Sequence, residues 1–179
     1  PLIRRQRRTA SADAASMGVG DVMVGGSYEI LPEWSYSAWQ PHGFLFLQTT
    51  LPTGPSTYDS VDSYQIDARG RGFYTVGLGT AFLKSVSHFD FLLILEGHRS
   101  FERTVTAGDG SDLTLIPGFG ASALLGMGYS PGGGSLRLGL ALAPVWEESI
   151  EARGEISSQG ADQLVWNTSA QIGYLLSDQ

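Results

Sequence analysis

Leu115-Ile116-Pro117-Gly118-Phe119-Gly120-Ala121-Ser122-Ala123-Leu124-Leu125-Gly126-Met127-Gly128-Tyr129 is the stretch that decides how this chain folds. Its odd positions, from Leu115 through Phe119, Leu125 and Met127 to Tyr129, are mostly bulky and apolar. The residues between them, Gly118, Gly120, Ser122, Gly126 and Gly128 among others, are mostly tiny. A period of two means a strand whose faces differ chemically. The pattern predicts one strand across 115–129, with a bulky apolar face and a face of small residues.

The same alternation recurs along the chain. Leu136, Leu138, Leu140, Leu142, Pro144 and Trp146 alternate with Arg137, Gly139, Ala141, Ala143 and Val145. Within 164–176, Leu164, Trp166, Ala170, Ile172, Tyr174 and Leu176 oppose Asn167, Ser169, Gln171 and Gly173. Within 18–30, Val22, Val24, Tyr28 and Ile30 oppose Asp21, Met23, Ser27 and Glu29. Within 72–84, Tyr74, Val76, Leu78 and Phe82 oppose Thr75, Gly77, Gly79 and Ala81. Within 88–101, Phe89, Phe91, Leu93 and Leu95 oppose His88, Asp90, Glu96 and His98. The stretch 42–51 is strand-like, with its facing left open by the sequence. These are seven strands of roughly 10–15 residues, against ~5–6 in soluble sheets. Crossing a bilayer takes ~9–11.

Composition fits that reading. The 179 residues include 24 glycines and no cysteine, with 42% hydrophobic and only 16% charged residues. Ordinary soluble domains carry ~25% charged residues and ~7% glycine. The absence of cysteine excludes a disulfide scaffold and a thiolate zinc module. The apolar content argues against disorder. No run approaches the ~20 apolar residues of a membrane-spanning helix. The net charge is −7, and four of the basic residues (Arg4, Arg5, Arg7 and Arg8) sit in the first eight positions. The remainder is therefore more acidic still, which argues against nucleic acid as a partner. Segment 1–16 lacks the apolar core of a signal peptide. It reads as a basic polar segment, an extracellular loop or a disordered end.

The connections alternate in length. Short links at 32–39, 85–87 and 131–134 alternate with longer polar ones near 52–71, 102–113 and 149–163. Outer-membrane barrels sort their links in this way, with short periplasmic turns and long extracellular loops. The predicted fold is all-β: a transmembrane antiparallel up-and-down outer-membrane β-barrel over 17–179. The parity of the loops leaves a strand missing before Gly18, so the seven strands read as part of a ten- to twelve-stranded barrel. Aromatic residues fall in two bands, as expected for interfacial girdles. Trp34, Tyr36, Trp39, Phe82, Tyr129 and Tyr174 form one, and Tyr74, Trp146 and Trp166 the other.

Gly18-Val19-Gly20-Asp21, running into Val22-Met23-Val24-Gly25-Gly26-Ser27-Tyr28, resembles the strand start of a group of Gram-negative outer-membrane transporter-like proteins, the MetA-pathway phenol-degradation family. Leu51-Pro52-Thr53-Gly54, the glycine-patterned strand at Tyr74–Lys84, and Leu113-Thr114-Leu115-Ile116-Pro117-Gly118 are similar to later segments of that family. The resemblance implies a longer barrel and passage of small, often hydrophobic or aromatic molecules. It implies no catalytic residue and no cofactor.

The expected lumen lining is Asp21, Glu29, His88, Asp90, Glu96, His98, Arg137, Asn167 and Gln171. Charges in a membrane-spanning sheet must face water or each other. The lining therefore reads either as a hydrated, salt-bridged interior or as a polar path for solutes. Glu96, His98 and Ser100 share one face in a set that outer-membrane lipid hydrolases use. Yet i, i+2 neighbours along a strand are ~6.5–7 Å apart, which leaves that chemistry a remote alternative, and the expectation is a non-enzyme. No histidine pair has metal-ligand spacing, so no metal is expected. The leading expectation is a bacterial outer-membrane channel for small solutes, in contact with the lipid bilayer and lipopolysaccharide. The alternative is a non-transporting barrel that anchors or docks an envelope protein complex.

Overall fold

The computed structural model describes residues 2–9, 12–32, 39–60, 64–106, 110–132, 135–154 and 157–174. Every regular element among them is a strand. In chain order these are β1 (Leu2–Thr9), β2 (Ala12–Val19), β3 (Val22–Leu31), β4 (His42–Leu51), β5 (Thr75–Val86), β6 (Phe89–Ser100), β7 (Arg103–Thr106), β8 (Asp112–Ile116), β9 (Phe119–Tyr129), β10 (Leu136–Glu147), β11 (Glu151–Arg153), β12 (Ser158–Gln159) and β13 (Gln163–Tyr174).

A seven-stranded antiparallel sheet in the order β13-β10-β9-β6-β5-β4-β3 dominates the molecule. Its members are the seven strands expected from the alternation, and each has 10 to 12 residues. The sheet is open. β3 and β13 form its two edges, and no ladder joins them among the described residues.

The register divides the side chains cleanly. Paired residues share a face, so one row runs Gln48, Gly77, His98, Gly120, Glu147, Gln163. The neighbouring row of the opposite face runs Leu47, Leu78, Gly97, Ala121, Trp146, Leu164. All of Glu29, Asp90, Glu96, His98, Arg137, Asn167 and Gln171 fall on the first, polar face. The other face is apolar from edge to edge, with Lys84 and Arg99 as its charged exceptions near opposite ends. The register also settles β4: His42, Phe44, Phe46 and Gln48 are on the polar side, and Leu45 and Leu47 on the apolar side.

Among the described residues, nothing covers the apolar face. Tyr28 is 74% exposed, Leu140 60%, Trp166 60% and Ile172 80%. The total accessible surface is 12345 Å². A compact monomer of 19.1 kDa would show about 8,400 Å². The buried apolar cluster of Phe73, Val105 and Leu115, with Leu113, Ile150 and Ala152 against it, lies outside the large sheet. It sits where the long connections gather, at the loop end.

Several expectations need correcting there. The expected strand 115–129 breaks at Pro117-Gly118, with β8 and β9 in different sheets. Pro117 has no N–H for a ladder, and Glu148 occupies the space beside Gly118 and accepts the Phe119 N–H at 2.8 Å. The expected strand 18–30 likewise divides at Gly20-Asp21 into β2 and β3. The connections 102–113 and 149–163, expected as long loops, contain short strands among their described residues. They supply β7, β8, β11 and β12, a four-stranded sheet in the order β12-β11-β8-β7. Segment 1–16 contributes β1 and most of β2, which pair from Leu2↔Val19 to Thr9↔Ala12.

Candidate functional site

Polar side chains on the polar face meet across intervening strands. His98 Nε2 of β6 lies 3.1 Å from Glu147 Oε1 of β10. The strand between them, β9, places Gly120 in that row, and a Cβ there would collide with the His98 ring and with Glu147. Gln48 Nε2 of β4 donates to Glu96 Oε1 of β6 at 2.6 Å, over Gly77 of β5. Arg137 Nη2 of β10 lies 2.9 Å from Asp90 Oδ2 of β6, beside Gly128 of β9. Strands are ~4.8 Å apart, so each pair bridges about twice that distance. A glycine in the skipped strand leaves the room.

These contacts link into a chain at the loop end. Glu96 Oε1 accepts from Gln48 and lies 3.8 Å from His98 Nδ1. His98 reaches Glu147, and Glu147 Oε1 also lies 3.1 Å from Arg71 Nη2. The His98 side chain is only 10% exposed. At the turn end, His42 and Glu29 meet at 2.5 Å, and Ser85 Oγ donates to Asp90 at 2.8 Å. Apolar side chains share these rows: Leu92 lies in the row of His42, Phe44, Ile94 and Leu124 in the row of Glu29, and Phe46 in the row of Glu96. The polar face thus interleaves charged and apolar side chains.

Not every expected lining residue behaves as expected. Asp21 has the phase of the polar face, but it lies in the link between β2 and β3 and ties connections together. Its Oδ1 accepts the Gly54 N–H at 3.1 Å and its Oδ2 the Arg71 N–H at 2.7 Å. Beside it, Thr53 Oγ1 donates to the Gly20 carbonyl at 3.0 Å. A Cβ on Gly54 would lie 2.9 Å from Gly20 Cα, so the two segments interlock closely. His88 is in the β5–β6 turn rather than in a strand, and its ring meets Ser87 Oγ at 2.8 Å. Asn167 donates to the Ala143 carbonyl at 3.4 Å. Gln171 packs beside Gly139 and borders, with Asp90 and Arg137, a cavity of about 540 Å³.

The sequence reading missed Gln48, Glu147 and Arg71. Gln48 was hidden by the ambiguous facing of 42–51. Glu147 follows Trp146 and keeps the phase, so the alternation carried one residue further would have found it. Arg71 lies in a connection, where periodicity gives no signal.

The aromatics of the two expected bands take several places in the fold. Tyr129 pairs with Phe89 and with Leu138, and Tyr174 with Leu136, at the turn end. Trp146 and Trp166 lie on the apolar face towards the loop end, and Tyr74 precedes β5 there. Trp39, 90% exposed, lies in the β3–β4 link. Phe82 is not at a strand end: it pairs with Gly43 and Leu93 inside the sheet. Trp34 lies outside the described residues.

Connection 52–73 is itself ordered by charge. The Arg103 guanidinium grips both oxygens of Asp59 and donates to the Gly72 carbonyl at 3.2 Å. The Arg103 hydrogen bond, with Ser56 Oγ donating at 2.6 Å, holds the Asp59 carboxyl below its ordinary value of 3.8.

The arrangement offers a fixed polar lining rather than an activated nucleophile. Ser100 Oγ is 2.8 Å from Thr75 Oγ1, while both His98 ring nitrogens face carboxylates. Among the described residues, no group of three His, Asp or Glu is placed to hold a metal ion. No protein-family model matches this chain, and no curated protein matches it.

Proposed function

We infer that the seven long strands are part of the wall of a bacterial outer-membrane β-barrel, whose polar face lines a path for small solutes. The observation that carries this is the pair of chemically opposite faces, with the apolar one uncovered along its whole width. Monomeric soluble proteins rarely leave apolar patches beyond a few hundred Å² exposed. Lipid satisfies such a face, and strands of 10–12 residues have the length to cross it. Trp146 and Trp166 near one end, and Tyr129 and Tyr174 near the other, suit the two interfaces.

The face opposite then meets the barrel interior, where paired charges are tolerated because they meet water and each other. The apolar side chains interspersed on it, Phe44, Phe46 and Ile94 among them, favour small hydrophobic or aromatic solutes over sugars. The likeness of Gly18–Asp21 and Leu51–Gly54 to outer-membrane transporters points the same way. Closure into a barrel of ten to twelve strands requires further strands along β3 and β13.

Reconstitution of the protein in planar bilayers tests this reading. The expected result is discrete unit conductance, with liposome uptake faster for a small aromatic solute than for a monosaccharide of similar mass. Absence of both conductance and uptake contradicts it. A second reading, a structural barrel that docks an envelope complex, has one observation in its favour. The loop end carries the four-stranded sheet β12-β11-β8-β7 with its own apolar cluster, a surface that a partner could dock on. Co-purification of a stoichiometric envelope assembly with a non-conducting barrel would favour it.

A further inference from the structure

Arg71 has a fixed backbone and a free arm. Its N–H is held by Asp21, ahead of β3. The next residue, Gly72, has φ +79° and gives its carbonyl to Arg103. The residue after that, Phe73, is 5% exposed within the apolar cluster. The side chain, by contrast, is 57% exposed, and its guanidinium reaches Glu147 at the far end of β10. In the sheet, β3 and β10 are separated by β9, β6, β5 and β4. Five inter-strand steps make an arc of about 24 Å. One arginine and two carboxylate side chains cover the same separation from the polar side. Arg71 thus reaches along the loop end of the polar face, from the start of β3 to the end of β10.

Arg71 and Glu147 also border one cavity of about 520 Å³, shared with Tyr58, Ser100 and Gln163, between connection 52–73 and the links beside β9 and β10. An ion pair this exposed is weak and screened by salt. It makes poor structural glue, and the backbone on either side of Arg71 is already secured by other contacts. Its exchange between open and closed states needs only side-chain rotation, which is fast.

We propose that Arg71 is a charge-operated gate at the loop-end mouth of the solute path, closed when its guanidinium pairs with Glu147 and open when it swings away. The proposal rests on the reading of the polar face as a path. These 179 residues contain no cysteine, which suits a direct test by single introduced thiols in planar bilayers. Arg71→Ala and Glu147→Gln are expected to shift unit conductance upward, and Arg71→Lys to stay near the parent value. The ratio of Arg71→Ala to parent conductance is expected to fall towards one as salt is raised. Arg71→Cys is expected to start high, to return towards the parent value after modification by a cationic thiol reagent, and to stay high after an anionic one. Conductance of Arg71→Ala equal to that of a conducting parent protein, or equal effects of the two thiol reagents, overturns the gate and leaves the path standing. Absence of conductance in the parent protein overturns the path and the gate with it.

Discussion

His98 of β6 and Glu147 of β10 stand two strands apart and meet at 3.1 Å, because the residue between them in the row is Gly120. The same device joins Gln48 to Glu96 over Gly77, and Asp90 to Arg137 beside Gly128. A chain with 24 glycines in 179 residues therefore uses several of them as gaps for polar contact across a strand. These glycines make room for side chains rather than for an empty channel.

Substitution at these gaps has a graded outcome. Gly120→Val forces the His98 ring and Glu147 apart and overpacks the row, at a cost of about 1–3 kcal/mol. Gly126→Ala meets Leu92 at 3.4 Å and Leu124 at 3.8 Å, both ordinary contacts, and is expected to be near neutral. The temperature at which the folded, fast-migrating band disappears on a heated gel measures the difference. Equal temperatures for the two variants would argue against the gap role.

The Asp21 carboxylate is expected to hold connection 52–73 to the start of β3. Asp21→Ala leaves the Gly54 and Arg71 N–H groups without their acceptor, a loss of about 1–3 kcal/mol where they are shielded from water. Limited proteolysis should cleave within 52–73 faster in this variant while the strands stay protected. Unchanged cleavage would show that Asp21 does not secure the connection.

Acid should loosen the same connection through Asp59. Its folded-state carboxyl titrates below the ordinary 3.8, with the Arg103 hydrogen bond as the main cause. A depressed carboxyl favours the folded form above the unfolded value, and that contribution fades as pH falls through the lower, folded value. Proteolytic sensitivity of 52–73 should therefore rise only below about pH 4, with an acid protease as probe. Asp59→Asn should be sensitive already at neutral pH and lack this part of the pH dependence.

The two faces of one strand pair should respond oppositely to charge. On β10 and β13, Leu140 and Ser169 lie on opposite faces. Leu140→Lys places a charge on the face assigned to lipid, where a central position costs about 2–4 kcal/mol. Ser169→Lys faces the polar side and should fold with nearly the parent yield. Comparable yields of folded, heat-modifiable protein would contradict the assignment.

Alternation such as that of Leu136–Trp146 and Phe89–Leu95 is enough to locate the strands, and for all but 42–51 their polar faces, because period two is written in the side chains themselves. The facing of 42–51 was not legible, since Phe44-Leu45-Phe46-Leu47 is apolar at every position; only pairing with Gly77 and Gly79 sets it. The break at Pro117-Gly118 was hidden because the phase continues through it. What sets it is Glu148, a residue distant in sequence. The loop-end sheet escaped because β7, β11 and β12 have only 4, 3 and 2 residues, too few to show a period. Within the site, Asp90, Glu96 and His98 followed from phase alone. Their partner Glu147 lies one residue beyond the alternation of 136–146, and Arg71 lies in a connection, where no local pattern marks it.

The central claim is that the sheet separates lipid from a polar interior, and β6 tests it most directly. Single cysteines placed in turn at Phe91, Leu92, Leu93, Ile94, Leu95 and Glu96, in an otherwise cysteine-free chain, can carry a nitroxide label in lipid bilayers. The account predicts strict alternation: labels at Phe91, Leu93 and Leu95 relaxed by lipid-dissolved oxygen, and those at Leu92, Ile94 and Glu96 screened from it. Uniform access of a water-soluble relaxation agent to all six positions, with no period of two, would contradict it.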